Sequence, residues 1–171
     1  ALRQARHEGG NQTRLFDALA STLATSSNLD TLLAQGQLVV ELRACVSVDA
    51  QTSANELVPH WQSVHEKPSQ LWEQAALKGK FNQVLSKVLA TAPLQTSSGP
   101  WIVPIPSRQL LHADLASSLA SVFSQGGLNR HDFILAVPEH ALLQGPSLRL
   151  GQLEHLKEQG FGILLDCERR P

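Results

Sequence analysis

Three short apolar runs, WIVPIP (101–106), FILAVP (133–138) and GILLD (162–166), are separated by stretches whose apolar residues recur at helical spacing. Runs of this length without polar alternation suit strands covered on both faces, and the helices between them are the connections such strands need. The order therefore implies a parallel sheet clothed by helices. In DLASSLASVF (114–123), Leu115, Leu119, Val122 and Phe123 fall on one stripe, and Gly126-Gly127 stop it. SLRLGQLEHLKEQG (147–160) supplies the next helix.

Upstream the pattern is richer in β-branched residues. QLVVELRACV (37–46) reads as a strand and SANELVPHW (53–61) as a weaker partner. The intervening SVDAQT is short enough for a hairpin, so this first pair is expected to be antiparallel. Pro68-Ser69 opens a helix that is expected to run through LWEQAALKGKFNQVLSKVLATA, with Leu77, Phe81, Val84, Leu85 and Val88 on one face. A loop rich in Ser, Gly and Pro follows at 93–100. Residues 1–17 read as the end of a helix, a Gly9-Gly10 break and an extended exit, after which Leu15, Phe16, Leu19 and Leu23 take helical spacing. NLDTLLAQG is a second short helix ending at Gly36. Five strands cannot close an eight-stranded barrel, which takes about 250 residues, and an unpaired last strand is an aggregation hazard. Further chain, or a partner over an open sheet, is expected beyond the last strand.

A length of 171 residues favours one domain. The net charge of −1 argues against a general nucleic-acid or membrane-surface binder. No apolar stretch reaches the roughly 18 residues of a membrane span, and ALRQARHEGG is too polar for a signal peptide. Without such a signal the sequon at Asn11 carries little weight. Cys45 and Cys167 lie in or beside apolar runs and read as buried thiols in a reducing cytosol, so the expected location is cytoplasmic. The lack of any Met points to a piece of a longer protein.

The order of elements resembles a known pair of families. ALRQARHEGGNQTRLFD is similar to the end of a GGDEF (diguanylate cyclase) domain, with residues 1–17 forming that end and its linker. Residues 18–171 resemble the first two thirds of an EAL domain, the cyclic di-GMP phosphodiesterase fold. QLVVELRACV stands where that family has ELVxxYQPIV, and SANELVPHW where it has GxEALLRW, with Glu56-Leu57-Val58 in place of the tripeptide. WIVPIPSRQL parallels VNLSxxQL, FILAVPEHALL parallels LxLEITExxLL, and GFGILLDCERRP parallels GxxxALDDFGTG. The resemblance implies an α/β fold, a truncated TIM-like barrel whose first two strands are antiparallel and the rest parallel.

It also implies a site. EAL domains hydrolyse cyclic di-GMP to linear pGpG with two Mg²⁺ or Mn²⁺ ions held by carboxylates and one asparagine at successive strand ends; such ions want oxygen ligands. Carried over, the family's glutamate is Glu56 and the first aspartate of DDFG is Asp166, the two residual metal positions. The asparagine falls on Pro104, the first glutamate of EITE on Ala136, and the second aspartate on Cys167, all three lost to hard-cation chemistry. The substrate-contacting arginine is His60 and the glutamine of YQP is Arg43; with Glu56 these are the ligand-binding candidates. Losing ligands from a site that acts as a unit removes turnover. The resemblance thus implies a degenerate EAL domain with no functional catalytic residue and no cofactor. It would act as a regulatory, receptor or protein-interaction module. Its partners would be cyclic di-GMP, a protein or a second copy of itself, with no nucleic acid and with a membrane reached only through other regions. The alternative is an active metal-dependent phosphodiesterase.

Plainer readings stand beside these. Glu56 is equally a solvent-facing carboxylate, while Asp166 closes a strand and needs a partner. Glu139 starts a helix, where a negative charge suits the dipole. His60 and His65 have no further ligand arranged for zinc, and Arg169-Arg170 read as a charged chain end or a phosphate contact. Trp61, Trp72 and Trp101 are core or interface residues rather than a platform for guanine.

Overall fold

The fold was analysed in a computed structural model, which describes residues 29–35, 38–47, 53–62, 68–95, 100–143 and 146–167. The chain divides into two compact units, Ala1–Gly36 and Gln37–Pro171. Of the first, only helix α1 (29–35) is described, matching the helix expected from NLDTLLAQG. The GGDEF-like segment 1–17 and the helical spacing from Leu15 to Leu23 lie outside the described residues, as do Asn11, Gly36, His65, Arg169 and Arg170.

The second unit is an α/β fold around one five-stranded sheet in the order β1-β2-β3-β4-β5. β1 (Leu38–Val46) and β2 (Ser53–Trp61) form the expected antiparallel pair, in register from Leu38–Trp61 to Val46–Ser53. β3 (Trp101–Pro104), β4 (Phe133–Pro138) and β5 (Gly162–Asp166) then add in parallel. β4 and β5 coincide with FILAVP and GILLD. β3 stops short of WIVPIP at Pro104. A proline has no N–H to give a ladder, although Ile105 still donates from its backbone N–H to the Ala136 carbonyl at 2.8 Å. An antiparallel first pair followed by parallel strands is the α/β arrangement expected from the sequence.

Between β2 and β3 the expectation of one long helix is corrected. Two helices stand there, α2 (Pro68–Leu77) and α3 (Phe81–Thr91). Gly79 takes φ +65°, a conformation that favours glycine. The Lys80 N–H reaches the Ala75 carbonyl at 2.8 Å and the Gly79 N–H reaches Ala76 at 3.1 Å, the pair of bonds that closes a helix at a left-handed residue. Leu77 therefore leaves the expected stripe and is 49% exposed, while Phe81, Val84, Leu85 and Val88 keep it and are buried. Helix α4 (Leu115–Gln125) joins β3 to β4, and α5 (Glu139–Leu143) and α6 (Pro146–Glu158) join β4 to β5. In α4 the buried stripe is Leu115, Ala116, Leu119 and Phe123, and Val122 is half-buried at its margin.

Strand partners share a face of a sheet, so the register divides the side chains into two sets. In one set Leu38, Val40, Leu57, Trp61, Trp101, Val103, Phe133, Leu135 and Val137 are buried. There Phe123 of α4 stacks edge-on against Phe133 (4.7 Å) and Phe161 (5.0 Å), so this is the helix-covered face. All three tryptophans are core residues, at 3%, 3% and 5% exposure, which removes them as a stacking platform.

Candidate functional site

The opposite face carries the site positions. Arg43 pairs with Glu56, Val39 with His60, Pro104 with Ala136, and Pro138 with Asp166. The register thus puts Arg43, Glu56, His60, Pro104, Ala136 and Asp166 on one side of the sheet, although they come from all five strands. Alternation along each strand does this: Glu56 and His60 are four residues apart, and Pro104 lies two beyond Ile102, the partner of Glu56.

Sharing a face does not bring the carboxylates together. From Glu56 the ladder of partners leads through Ile102 and Ile134 to Gly162, four residues before Asp166 on β5. Two strands also intervene between β2 and β5. Glu56 has a different neighbour: its Oε2 accepts from Arg43 Nη1 at 3.2 Å. The guanidinium supplies the positive charge that this carboxylate faces. His60 Nε2 lies 3.8 Å from Glu41 Oε1, so a second acid, which sequence reading passed over, enters the β1–β2 end of the site. The hairpin register was the signal for it, because Glu41 sits opposite Val58 and diagonal to His60.

Pro104 and Ala136 stand directly opposite each other on β3 and β4, Ala136 at 7% exposure. Neither side chain has an oxygen or nitrogen to offer. At the far end of the sheet Asp166 and Cys167 are exposed. Cys167 is thus not the buried thiol expected from the sequence, and Cys45 is only half-buried; the strand-like run around Cys167 ends at Asp166, so the thiol lies past the cover of the sheet. Glu139 starts helix α5 as expected and also meets this thiol. A hydrogen bond to the Glu139 carboxylate, together with its negative charge and that of Asp166, pushes the Cys167 thiol above its ordinary pKa. Next to Glu139, His140 Nε2 and Ser107 Oγ are 3.0 Å apart, linking the segment after β3 to the helix after β4. This contact left no trace in the sequence pattern.

Among the described residues, no three His, Cys, Asp or Glu side chains cluster closely enough to hold a metal ion. Glu56 is engaged by an arginine, Asp166 is remote from it, and a ring and a methyl group occupy the row between. This donor set does not fit a pair of hard cations.

The architecture is that of EAL domains. No family model and no curated protein matches the sequence. Solved structures do match the fold. The PaMucR phosphodiesterase in complex with c-di-GMP has a TM-score of 0.65 at 22% identity over 80% of this chain and 60% of its own. The FimX EAL domain from Pseudomonas aeruginosa bound to c-di-GMP has a TM-score of 0.64 at 12% identity over 82% of this chain and 60% of its own. The Vibrio cholerae LapD S helix-GGDEF-EAL protein bound to c-di-GMP has a TM-score of 0.70 at 11% identity, covering 94% of this chain and 40% of that one. The chain therefore spans less than two thirds of the length of these structures. No helix among the described residues is long and apolar enough to cross a membrane.

Proposed function

We propose that this chain is a catalytically degenerate EAL-type domain of a cyclic di-GMP signalling protein, working by binding rather than by cleavage. Residues 1–17 are taken as the end of a GGDEF-type domain and 18–171 as the EAL-type part, in the cytoplasm. The observation that carries the reading is the Pro104–Ala136 pair, side by side in the middle of the site face. Hydrolysis in this family rests on two cations that polarise the phosphate and activate water, and both need oxygens along the strand ends. A pyrrolidine ring and a methyl group offer none. The Arg43–Glu56 ion pair supports the same conclusion, since a guanidinium faces the one family carboxylate retained on β2.

The three solved structures named above are complexes with c-di-GMP, which makes this dinucleotide the ligand to try first. Arg43 and His60 on the site face are the cationic and hydrogen-bonding groups that would meet its phosphates. Isothermal titration with cyclic di-GMP separates the two forms of the proposal. Micromolar affinity lowered by Arg43→Ala marks a receptor, and no heat marks a module that acts through a protein partner or a second copy of itself. Release of linear pGpG with Mg²⁺ or Mn²⁺, abolished by Glu56→Ala, would show an active phosphodiesterase and overturn the proposal.

A further inference from the structure

Helix α6 turns one charged side chain inward. Arg149 shares a stripe with Leu153 and Leu156, at i, i+4 and i+7, and all three are buried. Arg149 is 6% exposed, and its Nε and Nη1 are buried without a hydrogen-bond partner among the described residues. A guanidinium can only donate, and it keeps its proton at any ordinary pH. Buried with nothing to accept from it, the group is costly and cannot escape the cost by neutralising itself. Gln152, three residues further along α6, shows the opposite deficit. Its Nε2 donates to the Ala113 carbonyl at 3.3 Å, which fixes the orientation of the amide, while its Oε1 is buried with no donor. Residues three apart are neighbours on a helix surface, so unmet donors and an unmet acceptor adjoin.

We infer that Arg149 and Gln152 hold a small oxyanion that still carries a hydroxyl, of which inorganic phosphate is the simplest. Its oxygens accept from Nε and Nη1 and offset the buried charge, and its hydroxyl donates to Gln152 Oε1. Sulfate and carboxylates have no such hydroxyl at neutral pH and leave the Gln152 oxygen unmet. A water molecule meets the same atoms but leaves the charge uncompensated. A metal cation is repelled by the guanidinium. The exposure that Arg149 retains places the group just beneath the surface, within reach of a ligand of this size. Neither residue is among the strand positions of the proposed function, so the inference stands if that reading fails.

The test is isothermal titration and thermal melting of the whole chain with inorganic phosphate, sulfate and chloride at pH 7 and constant ionic strength. Saturable binding of phosphate, about tenfold tighter than sulfate and with a matching rise in Tm, is expected. Arg149→Met puts an unbranched apolar side chain in place of the buried charge. It should abolish the phosphate response and melt above the wild type in phosphate-free buffer. Gln152→Leu should bring phosphate down to the affinity of sulfate. Gln152 is half-buried, so this variant carries the test alone if Arg149→Met does not fold. Equal responses to all three anions would mean that water alone bridges the pair and would overturn the inference. Phosphate binding that survives Arg149→Met, or a preference over sulfate that survives Gln152→Leu, would do the same.

Discussion

Cys167 shows how one residue's chemistry is set by neighbours that are remote in sequence. The carboxylate of Glu139, 28 positions earlier (167 − 139), accepts its hydrogen bond and holds the thiol protonated past its ordinary range. The thiolate is the reactive form, so alkylation of Cys167 by iodoacetamide at pH 8 should be slow and should speed up in Glu139→Gln; equal rates in the two proteins would refute the contact. The sign of the stability effect follows. The folded chain holds this proton more tightly than the unfolded chain does. The resulting stabilisation is complete below the ordinary thiol pKa and is lost as pH rises through the raised folded value. Glu139 was legible in the sequence as a helix start, but its second role was not. That role depends on β4 and β5 lying side by side, with Pro138 opposite Asp166.

Among the elements, α4 anchors the buried face of the sheet. Phe123 is fully buried and stacks on both Phe133, where β4 begins, and Phe161, just before β5. Phe123→Ala removes two edge-on ring contacts and opens a cavity, at a cost of about 3–5 kcal/mol. Set against the roughly 5–15 kcal/mol of a typical domain, this should move the urea midpoint far down; a shift under about 1 kcal/mol would mean that α4 does not pack as described. The helical stripe that places Phe123 there was readable from spacing alone. The break at Gly79 was not, because Leu77 and Phe81 are four apart and continue the helical period across it. A glycine inside a helix costs only about 1 kcal/mol, so the pattern permits both one helix and two. The packing of α3 beside β1 and α4 accompanies the break.

For the molecule as a whole, β5 is the strand at the end of the described sheet, hydrogen-bonded to β4 alone among the described strands. Leu164 and Leu165 point to opposite faces and are 43% and 47% exposed. An edge strand with apolar side chains on both faces is a template for pairing with another chain. The 171-residue chain should therefore associate as its concentration rises, and Leu165→Lys should suppress this in analytical ultracentrifugation with little change in urea stability. Association unchanged by the lysine would clear this edge. Local pattern was enough to locate the strands, most of the helices and the antiparallel first pair, and to nominate the candidate site residues. Those depend on local periodicity and on which side chains bear oxygen. Only the tertiary structure decided which of those residues meet. Register joined Arg43 to Glu56, set Pro104 against Ala136 and kept Asp166 four residues out of step with Glu56. Such contacts depend on how one strand is offset against the next, and across the helical connections that offset is fixed by packing rather than by spacing within either strand.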